Sequence, residues 1–204
     1  MQILKSKIRK NLLKKRLSLV RKEIDFCNKK IVQKLQKMAE FKKAKIILAY
    51  HPIRNEIDIT PLIEKTKKIF ALPRICAKSN RLHCHQVSDT KTLKTGKFNI
   101  KEPSTKHPVI ARDKIDLVLT PGIAFDKNGH RIGYGKGYFD KLFKTLSTDC
   151  VKIALAYDFQ IVENVPVEKH DQKVHIIITE KRIIHNFSKN EHVTKSRQQS
   201  MGRP

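Results

Sequence analysis

The sequence predicts a layered α/β fold built around a largely parallel sheet. From position 45 onward, six short β-rich runs alternate with helical stretches, which is the pattern of consecutive strand–helix–strand units. Three of these runs, at 45–50, 115–120 and 151–157, are almost continuously apolar, as expected of strands that are covered on both faces. The other three predicted strands lie at 68–74, 81–87 and 174–179.

Two helices are predicted ahead of the first strand. Within residues 1–40, apolar side chains recur at three- and four-residue steps, which places them on one helical face. The first stripe comprises Ile8, Leu12, Leu13 and Leu17, and the second comprises Ile24, Cys27, Ile31, Leu35 and Met38. Further helices are predicted at about 58–67 and 137–147. The polar segment 88–110 contains two prolines and is predicted to be a loop.

The positive charge of the chain is concentrated at its two ends. The 204 residues carry a formal net charge of +25, a value that usually suggests nucleic-acid binding. Residues 1–45 contain 16 basic and 3 acidic side chains, and residues 181–204 contain 6 and 1. The middle of the chain therefore has the composition of an ordinary globular domain. We expect a single domain over 1–185 and a basic, disordered tail over 186–204.

Several other classes of protein are excluded by composition. No apolar run approaches the roughly 20 residues that a membrane span requires, and no apolar stretch follows the basic N-terminus as in a secretory signal. The four cysteines form no Cys-x-x-Cys pair, so neither a zinc ribbon nor a disulfide scaffold is indicated. We expect reduced thiols in a cytoplasmic protein.

Five of the seven glycines fall in the window 120–143, which follows a predicted strand and leads into a predicted helix. They are Gly122, Gly129, Gly133, Gly135 and Gly137. Successive backbone N–H groups in such a turn, together with a helix N-terminus, form an anion-binding concavity. Arg131 and Lys136 add full charges, so the window suits a polyphosphate. It matches neither the Walker A pattern nor Gly-x-Gly-x-x-Gly, and a strand-to-helix turn without a ligand stays open on spacing alone.

This window resembles the signature of the 5-formyltetrahydrofolate cyclo-ligase family, also called 5,10-methenyltetrahydrofolate synthetase. The matching blocks read PGIAFD and RIGYGKGYFD. Three other blocks agree in order and spacing: KSKIR at 5–9, YHPIRNEIDIT at 50–60, and Gln160 followed by VPVEKHDQKVHIIITE at 165–180. The resemblance spans roughly residues 3–185.

The resemblance implies a three-layer sandwich with a mostly parallel central sheet and the N-terminal helices packed on it. It also implies an enzyme that uses ATP and Mg²⁺ to convert 5-formyltetrahydrofolate to 5,10-methenyltetrahydrofolate, with release of ADP and phosphate. In the implied route, the formyl oxygen is phosphorylated and N10 then closes the ring. We expect a cytoplasmic monomer that acts on small molecules and has no specific nucleic-acid or membrane partner.

The resemblance also assigns roles to individual residues. The ATP-binding set is Lys5, Arg9, Arg131, Gly133, Tyr134, Gly135, Lys136, Gly137, Tyr138 and Phe139. The catalytic set is Lys136, Arg131 and Tyr138, with Lys136 neutralising charge on the transferring phosphoryl group. The substrate-binding set is Tyr50, Glu56, Phe125 and Tyr138. The Mg²⁺ ligands are Asp140 and Asp171.

The chain departs from the family pattern at two positions. The family usually has tyrosine where Phe139 stands and aspartate where His175 stands, which leaves room for reduced activity or a different substrate. One alternative is a family member acting on another ATP-activated formyl or amide compound. A second, suggested by the net charge of +25, is a polyanion- or nucleic-acid-binding protein on the same scaffold. The sequence contains no helix-turn-helix, RNP or zinc-finger pattern in support of nucleic-acid binding.

Overall fold

A computed structural model describes residues 1–76 and 79–186. Five α-helices occur in this part of the chain: α1 (Gln2–Leu17), α2 (Arg21–Lys37), α3 (Ala39–Lys43), α4 (Thr60–Lys65) and α5 (Tyr138–Phe143). The strands there are β1 (Ile46–Leu48), β2 (Ile69–Cys76), β3 (Arg81–Gln86), β4 (Lys94–Thr95), β5 (Lys101–Glu102), β6 (Val109–Ile110), β7 (Leu117–Thr120), β8 (Ala124–Phe125), β9 (Arg131–Ile132), β10 (Val151–Leu155), β11 (Ile176–Ile178) and β12 (Ile183–His185).

An eight-stranded sheet organises the protein, in the order β12-β11-β10-β7-β1-β2-β3-β6. The five central strands, β11 to β2, pair in parallel, whereas β12, β3 and β6 are antiparallel additions at the two edges. All six predicted strands are present, so the prediction of a mostly parallel α/β fold is confirmed. The prediction of a plain loop at 88–110 was wrong in detail, because β4, β5 and β6 lie there as two-residue strands.

Alternate residues of the central strands face two separate cores. In β1, Ile47 packs into a cluster with Ile31 and Leu35 of α2, while Leu48 packs into a second cluster with Leu142 of α5. Because successive strand side chains point to opposite faces, the apolar runs of the sequence supply both cores at once. Helices therefore cover both faces of the sheet, and the expected three-layer sandwich is confirmed.

The N-terminal helices pack on this framework through the predicted apolar stripes. Ile31 and Leu35 of α2 are fully buried, and α2 contacts β11. In α1, Ile8 and Leu12 pack against a small cluster that contains Ile132 of β9. This second contact places the basic face of α1 close to the glycine-rich segment that follows β9.

Two further sequence expectations concern the tail and the cysteines. The tail predicted over 186–204 lies outside the described residues except for Asn186, and the domain boundary at 185 stays a prediction. The four cysteines are free, and Cys84 and Cys150 are buried. Burial raises the pKa of the Cys84 thiol to about 11, so this thiol is protonated at neutral pH. Within the described part of the chain, no helix is long and apolar enough to cross a membrane.

Candidate active site

The strand order changes direction beside β1, and this point locates the candidate site. β1 is parallel to β2 on one side and to β7 on the other, so the loops that follow β1 and β7 leave the same edge of the sheet in opposite directions. Ligands of open α/β sheets bind in the crevice that forms there. The loop after β1 carries Glu56, and the loop after β7 begins with Pro121 and Gly122.

A cluster of three side chains, two of them buried and the third half-buried, spans this crevice. Glu56 is 6% exposed, and its Oε1 accepts a hydrogen bond from the hydroxyl of Tyr134 at 3.0 Å. Arg16 from α1 is 1% exposed and donates from Nη2 to the same hydroxyl at 2.5 Å. The guanidinium also lies 3.7 Å from Glu56 Oε1. We call Arg16, Glu56 and Tyr134 the carboxylate cluster.

Burial and nearby charge act in opposite directions on Glu56. Burial raises the pKa of the carboxyl group to about 6, while Arg16, the backbone N–H of Ile53 and the Tyr134 hydroxyl favour the ionised form and limit the rise. Burial likewise raises the pKa of Tyr134 well above its usual range, so this side chain keeps its proton and can donate it. At neutral pH the cluster therefore presents an ionised carboxylate in a largely dry site.

The glycine-rich segment between β9 and α5 forms an open turn beside this cluster. Gly135 and Gly137 have φ of 93° and 65°, a conformation that side chains rarely adopt, and Gly137 caps the N-terminus of α5. Lys136 is exposed between them. We call residues 133–137 the glycine loop. A cleft of about 340 Å³ is lined by Gly135, Lys136, Gly137, Asp140, Lys141, Lys144 and His170.

Arg131 connects the glycine loop to the segment before β11. Its guanidinium donates to Asp140 Oδ1 at 2.8 Å and to the carbonyl of Gln172. It also lies 4.5 Å from the ring centroid of Phe143, and its side chain is only 4% exposed. Asp140 Oδ1 accepts a further bond from the Gln172 N–H at 3.1 Å. This arrangement fixes Asp140 in the lining of the cleft.

Two basic residues of α1 lie on the other side of the glycine loop. Lys5 Nζ contacts Asp171 Oδ2 at 2.6 Å and Glu168 Oε1 at 3.6 Å. Arg9 Nε donates to the Gly133 carbonyl at 2.9 Å, and its Nη2 lies 3.5 Å from where a methyl group on Gly135 would stand. Arg9 therefore reaches the glycine loop and Lys5 reaches the segment before β11, both from one face of α1, as their i, i+4 spacing predicts.

Comparison with known proteins shows which family the chain belongs to. The model of the 5-formyltetrahydrofolate cyclo-ligase family matches residues 2–180. The chain belongs to this family. It is 32% identical to the 5-formyltetrahydrofolate cyclo-ligase of Mycoplasma pneumoniae over 76% of this chain and 87% of that protein. It is 29% identical to the mouse protein of the same name, over 74% of this chain and 80% of that protein.

A solved structure agrees with the family at the level of the fold. The NMR structure of Aquifex aeolicus 5,10-methenyltetrahydrofolate synthetase superimposes with a TM-score of 0.80 at 34% identity, covering 91% of this chain and 94% of that one. The cyclo-ligase resemblance seen in the sequence is thus confirmed at the level of family and fold.

Within this cyclo-ligase chain, the structure brings most of the predicted site residues to one edge of the sheet. Glu56, the glycine loop, Asp140 and the pair formed by Lys5 and Asp171 all lie there. Tyr134, predicted to bind ATP, instead directs its hydroxyl to Glu56. This one side chain therefore joins the predicted ATP-binding residues to the predicted substrate-binding residue Glu56.

Four predicted contact residues are placed differently from expectation. Arg131 does not face the cleft as a free cation, because its guanidinium is buried against Asp140 and Gln172. Phe125 is fully buried in the second core cluster, where it cannot line a pocket. Tyr50 is 3% exposed, and its hydroxyl donates to the Ile57 carbonyl at 2.8 Å. Tyr138 directs its hydroxyl to Asn80 Oδ1 at 2.9 Å.

The two departures from the family pattern have structural explanations of different strength. Phe139 packs edge-on against Phe143 with ring centroids 6.0 Å apart and contacts the second core cluster, so an apolar ring suits this position. His175 lies just before β11, where its Nδ1 accepts from the Lys152 N–H at 3.3 Å.

Sequence reasoning missed Arg16 and did not give a role to Gln160. The Gln160 amide donates to the Gly122 and Ile123 carbonyls at 3.0 and 2.8 Å, which fixes the start of the loop after β7. Arg16 lies seven positions after Arg9, on the same face of α1. That spacing is visible in the sequence, but residues 1–45 contain 16 basic side chains, so it does not distinguish Arg16 from the other basic residues of this segment.

The predicted Mg²⁺ ligands are two carboxylates that are already paired with cations. Asp140 uses Oδ1 for Arg131 and Gln172, and Asp171 uses Oδ2 for Lys5. Burial opposes ionisation of Asp171, but the bonds from Lys5 and the Glu168 N–H outweigh it and lower its pKa. No group of three or more potential metal-ligating side chains converges within residues 1–76 and 79–186. Two carboxylates nevertheless fit Mg²⁺, which takes its other ligands from water and phosphate.

Proposed function

We propose that this protein converts 5-formyltetrahydrofolate to 5,10-methenyltetrahydrofolate in an ATP- and Mg²⁺-dependent reaction that releases ADP and phosphate. The observation that carries the proposal is the 3.0 Å hydrogen bond from Tyr134 of the glycine loop to Glu56. This bond makes an anion-binding loop and a buried carboxylate adjacent. A cyclo-ligase needs that adjacency, because the group to be phosphorylated is carried by the folate ring.

In this proposal, Glu56 holds the ring of the folate. The pterin carries an amino group and a ring N–H on one edge, and an ionised carboxylate can accept a hydrogen bond from each. Because Glu56 is buried, such charge-assisted bonds form in a low-dielectric site, where they are stronger than in water. Substrate recognition therefore depends on Glu56 being ionised.

The glycine loop and Lys136 would hold the phosphates of ATP. Backbone N–H groups at Gly135 and Gly137 and the exposed amine of Lys136 provide hydrogen bonds and positive charge for the transferring group. Arg9, bonded to the Gly133 carbonyl at 2.9 Å, adds a second cation at the loop. Phosphoryl transfer needs little more than such positioning and charge neutralisation.

The route that the cyclo-ligase family implies has two chemical steps. The formyl oxygen forms a bond to the γ-phosphorus while the bond to the β-bridging oxygen breaks, and ADP leaves. The N10 lone pair then attacks the formyl carbon, the carbon–oxygen bond breaks, phosphate departs with the former formyl oxygen, and the N10 proton is lost to solvent. Lys136 lies where it would stabilise the charge that the first step moves.

Asp140 and Asp171 would hold Mg²⁺, which supplies charge neutralisation on the phosphate oxygens when it is bound. Arg131 would act through Asp140 rather than on the nucleotide, because its guanidinium is buried against that carboxylate. Residues of one chain complete both halves of the site, so we propose a monomer. We place it in the cytoplasm, because four free thiols suit a reducing compartment.

The proposal is tested by following product formation directly. Methenyltetrahydrofolate absorbs in the near ultraviolet and 5-formyltetrahydrofolate does not, so purified protein with Mg²⁺, ATP and substrate should give a rise in absorbance matched by ADP release. Omitting ATP or adding a chelator of Mg²⁺ serves as the control. The absence of an ATP-dependent rise would contradict the proposal. ADP release with another formyl or amide compound, and not with this one, would favour the alternative substrate.

A further inference from the structure

Arg16 is a buried cation that joins three separate segments of the site. Its Nε donates to the Arg54 carbonyl and its Nη1 to the Gly122 carbonyl, both at 2.9 Å. Arg54 lies in the loop after β1 and Gly122 in the loop after β7, so the guanidinium connects the two sides of the crevice. Its third nitrogen, Nη2, donates to the hydroxyl of Tyr134.

The chemistry of the guanidinium fixes the direction of the remaining hydrogen bonds. Arginine can only donate, and a tyrosine hydroxyl has a single proton. Because Tyr134 accepts from Arg16, its own proton is directed to Glu56 Oε1 at 3.0 Å. The other oxygen, Oε2, accepts from the Ile53 N–H at 3.1 Å. Both oxygens of Glu56 therefore act as acceptors, which is the pattern of an ionised carboxylate.

We propose that Arg16 is a positioning residue for folate binding, which acts directly and through Tyr134 to hold Glu56 as an ionised acceptor for the N–H groups of the substrate ring. The proposal rests on the proposed function for the identity of the ligand. The effect of Arg16 on Glu56 does not depend on the proposed function, because it exists without any ligand. Arg16 touches neither substrate nor nucleotide in this role.

The charged and titratable groups around Glu56 come from every segment that packs on it. They are Arg16 of α1, Arg54 and Tyr50 of the chain after β1, and Tyr134 of the glycine loop. Arg16 is the strongest of those that favour the carboxylate. Its loss would raise the pKa of Glu56 above about 6. A neutral carboxyl would then point a proton at an N–H donor of the substrate.

The experiment compares Arg16→Met, Arg16→Lys and the wild type at a series of pH values between 6 and 9. Binding of 5-formyltetrahydrofolate without ATP is measured by calorimetry, and ionisation of Glu56 is measured separately by NMR titration of its carboxyl carbon. If Arg16→Met raises the pKa of Glu56 above neutral pH, binding at pH 7 should weaken about tenfold and recover as the pH approaches 9. Arg16→Lys keeps the charge and should restore most of the ionisation.

Two controls separate positioning from a general loss of structure. Arg21→Met removes an arginine whose side chain is 85% exposed, and it should change neither binding nor the titration of Glu56. Tyr134→Phe keeps the bonds from Arg16 to the Arg54 and Gly122 carbonyls and removes the hydroxyl that links Arg16 to Glu56. It should raise the pKa of Glu56 by less than Arg16→Met does. If Arg16→Met does not fold, Arg16→Lys and Tyr134→Phe still test the proposal by NMR.

The outcomes distinguish this proposal from the proposed function. An unchanged Glu56 titration in the folded Arg16 and Tyr134 variants would overturn the role of Arg16, whatever the enzyme does. Weaker binding that shows no recovery at high pH, accompanied by an equal loss in ATP affinity, would also overturn it, since that indicates structural damage. A shifted Glu56 titration in a protein that does not bind 5-formyltetrahydrofolate would instead support the role of Arg16 and contradict the proposed function.

Discussion

The carboxylate cluster and the glycine loop occupy the same crevice but are built in opposite ways. Arg16 and Glu56 are 1% and 6% exposed, and the hydrogen bonds that join them through Tyr134 are formed before any ligand binds. In the glycine loop, Gly135 and Lys136 are exposed, and the loop depends on the left-handed backbone of Gly135 and Gly137. The buried half is preorganised for recognition, whereas the open half presents charge to solvent.

Because of this difference, side-chain substitutions should have different effects in the two halves. Polar groups of the buried half satisfy one another, so removing one leaves the others unpaired in a dry site, and both stability and ionisation respond. A side chain of the open half can be removed at little cost to the fold, so its loss should affect chemistry alone. Four substitutions test this contrast, beginning with the largest expected effect.

Lys136→Ala should cause the largest loss of activity with the smallest structural change. The ammonium group lies 5.8 Å from the Phe98 ring centroid and is exposed, so the fold should tolerate its removal. Losing a group that stabilises charge in the transition state should lower turnover by about 10²- to 10³-fold. The rate of the near-ultraviolet rise measures this, and thermal unfolding checks the fold. Lys127→Ala, at an exposed lysine between β8 and β9, is the matched control. Unchanged turnover in Lys136→Ala would remove Lys136 from the mechanism.

Asp140→Asn tests the boundary between the two halves, because Asp140 lines the cleft and also pairs with a buried cation. The Arg131 and Asp140 side chains are 4% and 21% exposed. Without the negative charge, the buried Arg131 guanidinium keeps only neutral acceptors such as the Gln172 carbonyl, so the free energy of unfolding should fall by about 2 to 4 kcal/mol. The concentration of Mg²⁺ needed for half-maximal activity should also rise. Urea unfolding measures the first effect, with Asp113→Asn as control, since that carboxylate is 69% exposed.

If Asp140→Asn changed the Mg²⁺ requirement without changing stability, Arg131 would have to find another partner on losing its carboxylate. Loss of stability without any change in the Mg²⁺ requirement would instead leave Asp140 as a purely structural residue. Either result would assign Asp140 to only one of the two halves of the site, the buried half or the open half.

Glu56→Gln tests the buried half through pH. Burial raises the pKa of Glu56 from 4.5 to about 6, so folding favours the protonated form. The stability that this group contributes is fully present below pH of about 4.5 and is lost as the pH rises through about 6. The difference in the free energy of unfolding between wild type and Glu56→Gln should therefore change by about 2 kcal/mol across this window. Urea unfolding at matched pH values measures it, and Glu64→Gln, in α4, is the control.

A constant difference between the wild type and Glu56→Gln across that pH range would mean that Glu56 titrates as an exposed carboxyl group. The carboxylate cluster would then be open to water, and the contrast with the glycine loop would disappear. Folate binding should also weaken in Glu56→Gln, because the amide presents one acceptor where the carboxylate presents two.

The sequence predicted the framework better than the contacts, for physical reasons. Strands such as 115–120 are recognisable because burial on both faces demands a continuous apolar run. β12 and β6 escape notice because edge strands of two or three residues need no such pattern. Side-chain direction is harder still. Tyr134 and Lys136 are two residues apart in one motif, yet the first reaches Glu56 and the second faces solvent.

The unexpected placements of predicted site residues follow from the same limit. Phe125 and Arg131 lie within matching motif blocks, but a motif records which residue types stand together and not which way they point. Phe125 faces the core, and Arg131 is directed to Asp140 by burial. Arg16 was missed for the opposite reason: its importance comes from being the basic residue of α1 that is inserted between two loops, and insertion is a property of the folded chain.

Tyr138→Phe carries the smallest expected effect and tests the placement of a predicted catalytic residue. The hydroxyl donates to Asn80 Oδ1 at 2.9 Å at the exposed turn between β2 and β3, so it is directed away from Glu56. Removing a single partly exposed hydrogen bond should change the free energy of unfolding by about 0.5 kcal/mol, and turnover should stay within about twofold of the wild type since no developing charge is contacted. Asn80→Ala should reproduce both values, because it removes the same bond from the other side. A loss of turnover in Tyr138→Phe that Asn80→Ala does not share would contradict this placement. It would mean that the Tyr138 hydroxyl leaves Asn80 and enters the site when substrate binds, so that the open half of the crevice changes conformation.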